Sequence, residues 1–120
     1  MIEDFTHFEA WKKAMVIAEN VHALTKSFPK EEQYSLVSQM RRAAVSVAAN
    51  IAEGFGRYSA ADKQHKYVQA RGELIELMTF LHYSQRVAYI TPNQQEKILE
   101  LCREQLKILN ALVSTMHSRK

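Results

Sequence analysis

A chain of 120 residues with 47% hydrophobic and 24% charged residues has globular proportions, which exclude a disordered or fibrous class and allow one core in one domain, 1–120. Three glycines and two prolines are too few for the turns of an all-β protein, and a single cysteine excludes an intrachain disulfide. The formal charge of +3 permits a polyanionic partner without demanding one.

Four amphipathic segments follow one another, each opened by a capping signal. Thr6-His7-Phe8-Glu9 has the pattern of a capping box and predicts a first helix to about Ser27. Phe8, Trp11, Met15, Ala18 and His22 would form one of its stripes, and Ile17, Val21, Leu24 and Phe28 another. Phe28-Pro29 ends it, because proline disfavours helix in the residue before it. A second helix is expected from near Ser35 to Phe55, stopped by Gly54 and Gly56. Ser59, with Asp62 three residues on, predicts a third reaching about Ile90. Its seam, Tyr67, Ala70, Leu74, Leu77, Leu81, Ser84 and Ala88, alternates intervals of three and four. Thr91, Pro92 and Gln94 supply N-cap, first-turn proline and capping box for a fourth helix through about His117. The expected seam there is Ile98, Leu101, Gln105, Ile108, Leu112 and Thr115, flanked by Leu109 and Met116. Short connections make sequential neighbours antiparallel, so the fold class is all-α, an up-down-up-down antiparallel four-helix bundle.

The second helix carries the most information, because its composition leaves almost no solvent-facing side. Met40, Ala44, Val47 and Ile51 form one apolar stripe, and Val45, Ala49 and Ala52 a second on another flank. Between them lies a narrow polar stripe: Gln39, Arg42, Ser46, Asn50 and Glu53. A surface helix spreads its charges over a wide face, so this stripe is expected to be paired inside the bundle or across a subunit contact. Arg42 with Ser46 and Asn50 with Glu53 have the spacing of local pairs. One four-helix core covers one flank of such a helix, so a homo-oligomer is expected.

These residues resemble a known family, the four-helix-bundle proteins encoded in intervening sequences of bacterial 23S ribosomal RNA genes. The likeness is carried by Phe5-x-x-Phe8-x-x-Trp11, by Phe28-Pro29 with Glu32, Tyr34 and Leu36, and by Gln39-Met40-Arg41-Arg42-Ala43-Ala44-x-Ser46-Val47. Asn50-Ile51-Ala52-Glu53-Gly54-Phe55-Gly56-Arg57 and Ala70-x-Gly72-x-Leu74-x-Glu76-Leu77 complete it, so that it spans nearly the whole chain. Relatives often carry glycine at Ser35, proline at Ala48 and serine at Glu73. The first difference suits a helix cap, the second straightens the helix, and the third alters a packing contact. The resemblance implies a homopentameric ring with a central opening and no established enzymatic activity. Related bundle proteins accompany reverse transcriptases of diversity-generating retroelements, where a basic pentamer engages polymerase and RNA, which raises the expectation of nucleic acid by analogy of fold.

Chemistry is sparsely signposted. Glu53 has no nucleophile or oxyanion donor beside it, so no enzyme is expected. Glu19-x-x-His22 and Asp62-x-x-His65 have the form of di-iron ligands, but they would sit roughly 15 Å apart in level at 1.5 Å per residue, so no metal and no cofactor is implied. His22 is expected to be a partly buried core histidine, and His7, His65, His82 and His117 solvated or boundary side chains. Cys102 is expected to be a small buried hydrophobe. Gly54-Phe55-Gly56-Arg57-Tyr58 lacks the lysine and hydroxyl ending of a phosphate loop. The remaining pattern is basic: Lys12, Lys13, Arg57, Lys63, Lys66, Lys107, Arg119 and Lys120 are expected towards the end of the bundle that holds both termini. Tyr58 would offer a stacking surface there. Glu3, Asp4, Glu9, Glu53 and Asp62 share that end and dilute its charge. No apolar stretch approaches the roughly 18 residues that span a membrane, and Met1-Ile2-Glu3-Asp4 lacks the regions of a secretory signal, so a cytoplasmic protein is expected. The sequence thus points to a non-catalytic homo-oligomeric scaffold associated with RNA or other nucleic acid. The alternative is a protein-protein interaction scaffold without nucleic-acid binding.

Overall fold

In a computed structural model that describes residues 4–120, four helices run α1 (Glu9–Thr25), α2 (Leu36–Phe55), α3 (Ala60–Arg86) and α4 (Pro92–Arg119). Each packs on its neighbours in the cyclic order α1-α2-α3-α4, which is the up-down bundle expected from the short connections. The body measures 45 × 22 × 20 Å. Its core is built from α2 (Met40, Ala44, Val47, Ile51) and the α3 seam of Tyr67, Ala70, Leu74, Leu77, Leu81 and Ser84, all buried.

Caps locate the starts of α3 and α4. Ser59 Oγ accepts from the Asp62 N–H, and Thr91 with Gln94 forms a full capping box with Pro92 in the first turn. The first helix differs from expectation. Asp4, two residues before the expected motif, accepts from the Thr6 N–H and caps a single 3-10 turn, Phe5–His7; α1 then starts at Glu9 without a side-chain cap. A carboxylate two residues ahead outcompetes the weaker Thr6 hydroxyl, which itself donates to Asp4. Ser35 likewise does not cap α2, because its hydroxyl donates to Glu32 Oε1 at 2.7 Å.

Two ends are set by other means than expected. Gly54 lies within α2 and Gly56 caps it with an ordinary right-handed φ of −81°, so neither glycine stops the helix by its conformational freedom. Gly54 is needed for space: a Cβ there would stand 2.6 Å from Cε1 of Tyr67, so the glycine lets α3 approach. Beside the backbone returns of Gly56 to Ala52 O and of Arg57 to Gly54 O, Lys63 covers the end of α2, its ammonium donating to the carbonyls of Gly54 (3.2 Å) and Phe55 (2.8 Å). α3 stops at Arg86, short of Ile90, because Ala88 takes a left-handed φ of 63°. The Tyr89 N–H returns to Ser84 O and the Ala88 N–H to Gln85 O, the two bonds of a Schellman motif.

The outer helices are rotated relative to their expected seams. On α1 the buried line is Ala10, Ala14, Ile17, Val21 and Thr25, with Phe8, Trp11, Met15, Ala18 and Leu24 half-buried beside it and His22 exposed. Alanines at the contact let the helix come close while its large side chains fold over the flanks. On α4 the buried line is Ile98, Leu99, Cys102, Gln105, Leu109 and Met116, with Leu101, Ile108 and Leu112 half-buried and Thr115 exposed. Gln105 is drawn in because Ala10 leaves room for it, and its Nε2 donates to Ala10 O at 2.9 Å. At the end of the bundle away from the termini, Tyr89 ties the α1–α2 and α3–α4 loops together, packing on Phe28 at 5.4 Å and donating its hydroxyl to Glu32 Oε2 at 2.8 Å.

Candidate functional site

The second apolar flank of α2 is uncovered. Val45 is 58% exposed, Ala49 is exposed and Ala52 half-buried, and with Ser38 they form a stripe without charge on the outer face. Two arginines border it, and both are drawn off sideways. Arg41 reaches α1, donating to Thr25 Oγ1 (2.9 Å) and His22 O (3.3 Å); Arg42 reaches α3, binding Glu73 (3.3 Å) and Glu76. A similar stripe runs along α3 through Val68, Gly72, Ile75 and Thr79, all exposed. Gly72 leaves open space where a Cβ would stand, so nothing within the chain requires it.

The polar stripe of α2 lies between these faces, and its partners are not the local ones expected. Arg42 Nε donates to Gln39 Oε1 at 3.3 Å rather than to Ser46, and Asn50 Nδ2 donates to the Ser46 carbonyl at 2.9 Å rather than to Glu53. Glu53 meets Lys66 of α3 at 2.8 Å and Arg57 at 4.0 Å. The Lys66 ammonium holds the Glu53 carboxyl below its ordinary range. Arg42–Glu73, Arg42–Glu76 and Glu53–Lys66 thus form a ladder along the α2–α3 surface groove. The side chains of Arg42 and Glu53 are 45% and 53% exposed, so within one copy their pairing to another helix lies on the bundle surface and not inside it: these are surface bridges, each worth about 0 to 1 kcal/mol.

The basic residues do not form one cluster. Arg57, Tyr58, Lys63 and Arg119 sit at the tip that holds the termini, and the Tyr58 ring is wholly exposed. Lys107 lies twelve residues before Arg119 on α4, about 18 Å along the axis at 1.5 Å per residue. Lys12 and Lys13 sit near that level, since Lys13 shares a shallow groove with Leu101 and Glu104. Several of the cations are engaged: Lys12 with Glu9 at 3.5 Å, Lys66 and Arg57 with Glu53, and Lys63 with the end of α2. Partial burial, with Arg119 nearby, pushes the Lys63 ammonium below its usual range. Lys107, Arg119 and Lys120 have no carboxylate partner among the described residues. Glu3 lies outside the described residues.

The remaining constellations carry no visible chemistry. Glu19, His22, Asp62 and His65 are all exposed, and among the described residues no group of three or more His, Cys, Asp or Glu could hold a metal. Cys102 is fully buried and its thiol is pushed up to about 12 by burial, which leaves it inert at neutral pH. No helix among the described residues is long and apolar enough to cross a membrane. Arg41 was not singled out from the sequence; its one signal was its place beside Arg42, which puts adjacent guanidinium groups on opposite flanks of a helix.

Two comparisons bear on identity. The sequence pattern of the 23S rRNA-intervening sequence protein family matches residues 6–111. Among solved structures, the chain is similar to a crystal structure from Bacteroides thetaiotaomicron VPI-5482, described as a protein with unknown function from the S23 ribosomal protein family. The two are 25% identical with a TM-score of 0.78, over 87% of this chain and 97% of that one. None of the curated proteins matches.

Proposed function

Because this chain belongs to the 23S rRNA-intervening sequence protein family, we propose that it works as a non-catalytic homo-oligomeric scaffold, pentameric by resemblance to that family, associated with RNA in the cytoplasm. The observation that carries the reading is the pair of uncharged stripes on the outer faces of α2 and α3. Val45 and Ala49 of one copy meet Val68, Gly72 and Ile75 of the next. Two different patches on one protomer make a heterologous contact, and such contacts close into rings when the rotation allows. The ion-pair ladder between the stripes fixes their spacing.

RNA association is supported by the cations left free. Five copies at +3 carry +15, and Arg119 repeats around the ring at the tip that carries the exposed Tyr58, with Lys107 further along α4. The pairing of Arg57, Lys66 and Lys12 with carboxylates favours the second reading, a protein-interaction scaffold without nucleic acid. A salt titration with a structured RNA separates the two. The logarithm of affinity should fall linearly with the logarithm of salt concentration, by about 0.7 to 0.9 per phosphate neutralised, and Lys107→Glu with Arg119→Glu should flatten the slope. Absence of binding at low salt, or equal slopes for wild type and double variant, selects the protein-interaction reading.

A further inference from the structure

The loop joining α1 to α2, at the end of the bundle away from the termini, encloses a cleft of about 250 Å³. It is lined by the apolar Phe28 and Val37 and by Lys26, Lys30, Gln33 and Arg41. Three cations therefore face one cavity with no carboxylate in its wall. Glu32 of the loop is turned elsewhere, accepting from Ser35 Oγ at 2.7 Å and from the Tyr89 hydroxyl at 2.8 Å.

The carboxyl end of α1 attracts cations and holds Arg41, yet it does not consume the two lysines. Thr25 Oγ1 donates to Val21 O and His22 O, the Lys26 N–H to Ala23 O and Ser27 Oγ to Leu24 O. Both lysine ammonium groups are left without a hydrogen bond or ion pair among the described residues. Arg41 is half-buried and already positioned by its bonds to Thr25 and His22 O, and a guanidinium has five N–H donors, so it has donors to spare. A fixed guanidinium with two unpaired ammonium groups over an apolar floor matches a tetrahedral anion bearing more than one negative charge.

We propose that this cleft binds a phosphate group, presented either by a free phosphate ester or by an RNA backbone. The site is separate from the termini-side cations and does not rest on the RNA reading. The test uses the full chain with isotope-labelled arginine and backbone amides at constant ionic strength, titrated first with inorganic phosphate and then with a short oligoribonucleotide bearing a 5′-hydroxyl. Saturable shifts of the Arg41 Nε–H and of amides in segment 25–41 are expected. Lys26→Ala and Lys30→Ala, both at exposed positions, should each weaken binding about fivefold, as expected for an exposed charge pair. Shifts with both probes identify the RNA backbone as the source, and shifts with phosphate alone identify a free ester. The Lys107→Glu, Arg119→Glu variant should leave these shifts unchanged, so failure of RNA binding at the other end is separable. Shifts that do not saturate, or an unchanged response in the Lys26→Ala, Lys30→Ala double variant, would overturn the proposal.

Discussion

Single side chains decide how closely the helices approach. Gly54→Ala places a methyl group against the buried Tyr67 ring, which Phe8 backs at a centroid distance of 6.5 Å, so the ring has little room to retreat. Overpacking of this kind costs about 1 to 3 kcal/mol, and thermal denaturation should show the loss. Tyr89 gives a pH dependence with a definite sign. Its hydroxyl, donating to the Glu32 carboxylate, is pushed from 10.0 up to about 12, chiefly by that hydrogen bond. A raised folded-state pKa for a group that is neutral when protonated favours the neutral form. Its contribution is therefore fully present below pH 10 and is lost between pH 10 and about 12. Tyr89→Phe should lower the melting temperature at neutral pH and flatten its alkaline decline; an identical alkaline profile in the variant would assign that decline to other groups. Neither residue's role was visible in the sequence. Gly54 read as a helix stop, because a glycine near a helix end looks the same whether it supplies a turn or a space.

At the scale of elements, the helix ends divide into those written locally and those written across space. Ser59 and Thr91 were legible because a cap and its N–H partner lie three residues apart in the chain. The end of α2 was not, since its carbonyls are covered by Lys63 from the first turn of α3. Lys63→Met should cost about 1 kcal/mol of stability through loss of a cation at a helix C-terminus, with Lys63→Glu worse. That result would separate a structural lysine from a phosphate contact, for which the methionine variant would melt like wild type. Ala88 offers the opposite case. A non-glycine residue at φ 63° is strained by about 1 to 2 kcal/mol, partly offset by the greater freedom glycine has when unfolded. Ala88→Gly should therefore raise stability by up to about 1 kcal/mol, measured as a higher denaturant midpoint at unchanged slope. The seams of α2 and α3 were legible because large apolar residues repeat there at intervals of three and four. Those of α1 and α4 were misplaced in part: on α1 the contact is made by Ala10 and Ala14, which no repeat of large apolar residues marks as core, and on α4 Leu99 and Cys102 take the buried places expected of Leu101 and Ile108, while Ile98 and Gln105 lie on the seam as expected.

For the whole molecule, the four-helix order followed from the short loops, but the distribution of charge did not. Residues assigned to one end by counting along helices are spread over about 18 Å, and half of the expected cluster is tied to neighbouring carboxylates or carbonyls. What survives with the clearest physical basis is the bare outer face of α2, whose two bordering arginines are held on α1 and α3. Self-association through that face is the central claim. Its most direct test is the mass in solution, by light scattering at micromolar concentration, of wild type and of Val45→Glu, a substitution at an exposed position that leaves the bundle core intact. The account predicts a closed assembly for wild type, five times 13.9 kDa if it is a pentamer, and a folded species of 13.9 kDa for the variant. A wild type that scatters as a monomer, or a Val45→Glu protein of unchanged mass, would contradict it.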